Sequence, residues 1–103
     1  TDVVYKGRVD PRHCINSSSK TYEGDQWIHA ELIVRGDSVV THIINGENVL
    51  EYTNPQMGGG VANRFNPALK IDGQRLKSGF IALQSEGQEI DFKNIELLDL
   101  SKN

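Results

Sequence analysis

Apolar and polar side chains alternate from Trp27 to Arg35. Ile28, Ala30, Leu32 and Val34 fall on one side, and Trp27, His29, Glu31 and Arg35 on the other, with Ile33 the apolar exception. A repeat of two is strand geometry, because successive side chains on an extended backbone point to opposite faces. Gly36-Asp37 then predicts a tight turn into a second run, Ser38 to Ile44. Asn45-Gly46 follows, a dipeptide whose residues both accept the left-handed backbone of a type I′ hairpin turn, and it leads into Glu47 to Tyr52. These three runs predict an antiparallel meander.

Outside the meander the pattern is sparser. Val3 to Lys6 is a short strand-forming run, and the Ser-, Asn- and Gly-rich stretch from Gly7 to Gln26 predicts a long loop. Thr53 to Lys77 is interrupted by Pro55, Gly58-Gly59-Gly60 and Asn66-Pro67, and at about 25 residues it exceeds ordinary connections; a functional ordered loop and a mobile loop are the two readings. From Ser78 to Leu100 two more strands are expected around the turn Ser85-Glu86-Gly87-Gln88. Phe80 and Ala82 precede it and Ile90 and Phe92 follow, with a bulge at Lys93-Asn94 where the alternation slips. No helical period persists for three turns, so the class is all-β, an antiparallel sandwich. Five or six strands are few for two sheets that must cover each other, so residues 1 to 103 are expected to form a partial sandwich domain.

Composition narrows the functions. A chain of 103 residues with 37% hydrophobic content supports one core. The formal charge of −3 arises from interspersed acids and bases, with no basic stretch interleaved with aromatics, which argues against nucleic acid. No apolar run approaches the roughly 18 residues of a membrane span. Cys14 is the single cysteine, which excludes an internal disulfide. The opening Thr1-Asp2-Val3-Val4, without an initiator Met, suggests a processed or excerpted chain.

Four segments in order carry a resemblance. They are Gly24-Asp25-Gln26-Trp27, His42-Ile43-Ile44-Asn45-Gly46 with Val49 beyond it, Gly79-Phe80-Ile81-Ala82-Leu83-Gln84-Ser85-Glu86-Gly87, and Phe92-Lys93-Asn94-Ile95. Together they resemble the C-terminal half of the 3-keto-disaccharide hydrolase family, also known as domain of unknown function 1080. The resemblance implies a concanavalin-like jelly roll whose concave face binds a sugar. It also implies cleavage of 3-keto-glycosides, by hydrolysis or elimination, and an extracytoplasmic location. Family domains run to nearly twice this length, so the N-terminal strands are expected from a missing half of the domain or from a second chain. Many members carry Asp-His where this chain has Ser85-Glu86, and Arg where it has Lys93.

Candidate chemistry follows from residue type. His42, in phase with Val40 and Ile44, is either a proton carrier facing a groove or a structural histidine. Glu86 is a candidate base for the proton α to a keto group, and Lys93 a candidate donor to the resulting enolate; a solvated turn and a surface lysine are the alternatives. Gln84 can bind sugar hydroxyls. Trp27 can stack on a sugar ring or pack against the sheet. His29 shares the face of Trp27, and with Glu31 two positions on it has the spacing of two metal ligands, but without a third the expectation is no metal and no cofactor. His13-Cys14 is a poor dyad, since adjacent residues on extended backbone point apart. Gly58-Gly59-Gly60 lacks the Lys-Ser or Lys-Thr of a phosphate loop. The expected function is therefore a hydrolase or lyase acting on 3-keto-glycosides. A noncatalytic carbohydrate-binding module or a strand-donating structural half-domain is the alternative.

Overall fold

A computed structural model describes residues 1–60, 66 and 68–101. Five strands form one antiparallel sheet: β1 (Asp2–Tyr5), β2 (Arg8–Asp10), β3 (Ala30–Arg35), β4 (Val39–Ile44) and β5 (Glu47–Gln56), in the spatial order β2-β1-β5-β4-β3. The described residues are all-β and contain no helix. The central meander follows the alternation closely. Arg35 pairs with Val39 across a turn whose Gly36 has φ 57°, and Ile44 pairs with Glu47 across Asn45 (φ 48°) and Gly46 (φ 83°). Both central residues of the second turn are left-handed, the twist that lets two strands continue without splaying.

Two bulges shape β5. The register with β4 slips between His42 and Ile43, so His42 faces Leu50 while Ile43 faces Asn48, leaving Val49 as the extra residue. Ser18 donates from both its backbone N–H (2.8 Å) and its hydroxyl (3.2 Å) to the Val49 carbonyl, so the bulge carbonyl is satisfied by the loop before β3. A second slip, against β1, lies near Asn54 and Pro55, and Asn54 has φ 52°. β5 therefore runs past the expected end at Tyr52. Proline is tolerated there because a bulge needs no ladder N–H at that position. The Pro55 carbonyl instead accepts the Leu76 N–H at 2.9 Å, and Arg75 donates to the Asp37 carbonyl (2.5 Å) and to Asn54 Oδ1 (2.8 Å), tying the returning chain to the β3–β4 turn.

Three expectations are corrected. The polar stretch after Lys6 is not all loop, because Lys6 (φ 52°) and Gly7 (φ 80°) make a second tight turn and Arg8–Asp10 pairs with β1. The strand expected from Trp27 begins at Ala30, opposite Ile44, where β4 first offers a partner. Ser78 to Leu100 carries no ladder pairing, and an alternating pattern becomes a strand only when a neighbour takes up its backbone hydrogen bonds. Within the long loop expected from Thr53 to Lys77, positions 61–65 and 67 lie outside the described residues.

Residues facing one another across the ladder share a sheet face. Leu32, His42 and Leu50 form one row, and Val34, Val40 and Tyr52 the next, while Ile33, Thr41 and Glu51 point to the other side. Among the described hydrophobic residues only Val3, Val40 and Val49 are buried. Leu32 and Val34 remain about half exposed, and Phe80, in the C-terminal segment, is fully so at 106%.

Candidate functional site

His42 sits mid-strand in β4, the strand flanked on both sides by β3 and β5. Its ring contacts Tyr52, with Nε2 3.1 Å from the phenol oxygen and the ring centroids 5.5 Å apart at 48°. The bulge creates this pair. Counting outward from the Asn45-Gly46 turn would set His42 opposite Val49 and put Glu51 on its face. The extra residue at Val49 shifts the partner to Leu50 and brings Tyr52 round in place of Glu51. Glu51 instead accepts a hydrogen bond from Thr41 Oγ1 at 3.0 Å on the opposite face.

Burial acts on both members of the pair. It pushes the His42 imidazole below its ordinary value of 6.5, since the charged ring loses solvation, and pushes the Tyr52 phenol above 10.0 for the same reason. Near neutral pH both groups are uncharged, with one able to take a proton and the other able to give one. Tyr52 was not among the residues singled out from sequence, because its proximity to His42 depends on the bulge.

Lys93 and Trp27 are also brought together. The ammonium lies 4.0 Å from the centroid of an indole that is 58% exposed. This is a cation–π contact. It covers one face of the indole and ties the C-terminal segment to the residues just before β3. His29 is fixed through its backbone: its N–H donates to Asn45 Oδ1 at 2.9 Å, and its carbonyl accepts the Asn45 N–H at 2.8 Å. Its side chain extends to Glu31, Nε2 to Oε1 3.1 Å, in an exposed pair. Among the described residues no group of three His, Cys, Asp or Glu side chains gathers as a metal site would require.

Gln84 and Glu86 lie in the exposed segment just before Gly87, whose φ of 77° marks the turn expected there. Among the described residues neither makes a hydrogen bond, and no ion pair joins Glu86 to Lys93. The six candidates thus form separate groups: His42 on the sheet, Trp27 with Lys93, His29 at the β3 entry, and Gln84 with Glu86 at the distal turn. A further feature absent from the sequence reading is an open cleft of about 460 Å³ where Tyr5 and Leu50 meet Asn16, Ser17, Ser18 and Asn48. An aromatic ring flanked by amides and hydroxyls is the kind of surface on which sugars bind.

The fold and these surfaces define an all-β domain built on one five-stranded antiparallel sheet. The chain belongs to the family of 3-keto-alpha-glucoside-1,2-lyase-like domains, whose model matches residues 4–98. By its name that family is one of carbohydrate-acting domains. No curated protein and no solved structure matches the chain. Among the described residues no helix is long and apolar enough to cross a membrane.

Proposed function

We propose that this chain is part of a domain that cleaves 3-keto-glycosides by elimination across carbons one and two of the sugar. The observation that carries the reading is the family match over residues 4–98, whose description names a 1,2-lyase. A ketone at carbon three acidifies the hydrogen on carbon two. A base removes that proton, the electron pair is held briefly as an enolate on the carbonyl oxygen, and its return forms the C1–C2 double bond as the glycosidic C1–O bond breaks. The departing oxygen takes up a proton. Two residue roles are needed, a base near carbon two and a cation or donor near the enolate oxygen.

Glu86 is the proposed base and Lys93 the proposed enolate donor, with Gln84, Trp27 and His29 holding sugar hydroxyls and ring faces. His42, kept neutral by burial beside Tyr52, is suited to take up a proton during turnover. Gln84 and Glu86 project from a segment that touches the sheet region through Lys93 and Trp27, which supports a site completed when that segment folds against a sheet.

The test uses a 3-keto-α-glucoside with proton NMR detection of the unsaturated keto sugar and the released aglycone. Product formation that is lost in Glu86→Gln supports elimination. Saturable binding without product, weakened by Trp27→Ala and indifferent to Glu86→Gln, would replace this reading with that of a noncatalytic binding module.

A further inference from the structure

Tyr5 belongs to two clefts at once. On one side it meets the amide and hydroxyl surface of Asn16, Ser17, Ser18 and Asn48. On the other it meets the β1–β2 hairpin, where Lys6, Arg8 and Arg12 line an open cleft of about 590 Å³. Tyr5 is the shared wall, so the two clefts form one groove whose ends differ in charge.

The neutral end is built on the Val49 bulge. Ser18 is anchored twice to the Val49 carbonyl, which sets Asn16 and Ser17 beside Asn48. Among the described residues the side chains of Asn16 and Asn48 make no hydrogen bond, so both amides have donors and an acceptor to offer. Glu51 also lines this end, but its carboxylate accepts from Thr41 at 3.0 Å on the other face of the sheet. Leu50 lines it too and lies opposite His42 in the ladder, so this end adjoins the His42–Tyr52 pair.

The other end is cationic in a chain whose net charge is −3. From Tyr5 to Arg12 the only acid is Asp10, and Arg12 engages it from Nε (3.0 Å) and Nη2 (2.7 Å). Lys6 lies 5.3 Å from the centroid of the Tyr5 ring, and among the described residues Arg8 has no partner. Arg8 pairs with Tyr5 in the ladder, so the two side chains leave one face of the hairpin about 5 Å apart. A planar guanidinium with five donors, next to an aromatic ring, suits a carboxylate or sulfate carried on a sugar that lies against the ring.

We infer that the groove across Tyr5 binds an anionic oligosaccharide. A neutral sugar unit rests among Asn16, Asn48 and Tyr5, and an acidic substituent on that unit or the next pairs with Arg8. The inference rests on the carbohydrate reading above and narrows it to acidic glycans, but it uses neither the elimination chemistry nor Glu86.

Titration of the isotope-labelled chain, followed by NMR, compares a glucose disaccharide with its glucuronosyl counterpart and its sulfate ester. The anionic sugars are expected to bind about tenfold more tightly than the neutral one in low salt, to shift the amide signals of Tyr5, Arg8 and Asn48, and to lose most of that advantage in high salt. Arg8→Gln is expected to erase the advantage while the neutral affinity persists, and Asn16→Ala combined with Asn48→Ala to weaken all three ligands. Preference for one anion over the other assigns the groove to uronates or to sulfated glycans. Absence of binding, equal affinity for neutral and anionic sugars, or an anionic preference that survives Arg8→Gln overturns the inference. So does inorganic sulfate or acetate that competes as well as the sugars bind, which would leave only a basic patch. Cleavage of a 3-keto-α-glucoside is scored separately: product without anionic preference removes only this inference, whereas anionic binding without product removes only the elimination.

Discussion

Val40 offers a quantitative test of where the small core lies. It sits in β4, is 4% exposed, and has Val34 on one side and Tyr52 on the other in its row of the sheet. Val40→Ala removes two methyl groups, about 1.6 kcal/mol of transfer free energy at ~0.8 per carbon. Loss of a β-branched residue from a strand with neighbours on both sides adds a few tenths, while the half-exposed Val34 beside it lets the site relax and keeps the cavity contribution small. The expected loss is about 2 kcal/mol. Leu32→Ala, one row away on the edge strand, removes three carbons but from a side chain already 49% exposed, so about 1 kcal/mol is expected. Urea titration followed by tryptophan fluorescence and circular dichroism, at one fixed protein concentration, reads both. With a slope near 1 kcal/mol per molar, the midpoint falls by roughly 2 M for Val40→Ala and 1 M for Leu32→Ala. Equal shifts, or a larger shift for Leu32→Ala, would refute the assignment of the core to the β4–β5 centre.

Two further outcomes are expected. Gly58 has an ordinary backbone conformation but no room: an added Cβ would lie 2.5 Å from the Asp2 Cγ, so Gly58→Ala is expected to cost about 1 to 3 kcal/mol, and a neutral thermal shift would show that Asp2 moves freely aside. For pH, burial lowers the folded-state value of His42 below 6.5, so above that pH neither state is charged and the group contributes nothing to pH dependence. As pH falls through 6.5 the unfolded chain takes up its proton first. Stability therefore declines until the lower folded value is reached, and Tyr52 produces the mirror effect above pH 10.0, where the unfolded phenol ionises first. Urea midpoints compared at pH 7 and pH 5 check this, and His42→Gln should flatten the acid-side decline; an unchanged decline would assign it to other groups.

The sequence alone determined the meander and the family. Alternation from Ile28 to Val34 and the Asn45-Gly46 dipeptide are local signals: a period of two requires extended backbone, and two left-handed residues in succession require a type I′ turn. Trp27, His29, His42, Gln84, Glu86 and Lys93 stood out as candidates because their residue types carry recognisable chemistry. The structure decided which of them meet. Lys93 reaches Trp27 across 66 positions of chain, and Tyr52 reaches His42 only because one extra residue at Val49 rotates the following part of β5 by one face. Neither relation is written in local pattern. The strand β2 and the continuation of β5 through Pro55 were hidden for a related reason, since Lys6-Gly7 is a weak turn signal and proline is an apparent breaker until a bulge excuses its missing N–H. Conversely, Ser78 to Leu100 has strand-like sequence and no strand. Hydrophobic alternation states a preference that each residue carries by itself, whereas a β-ladder is a property of two segments, and its formation depends on a partner with free backbone groups within reach.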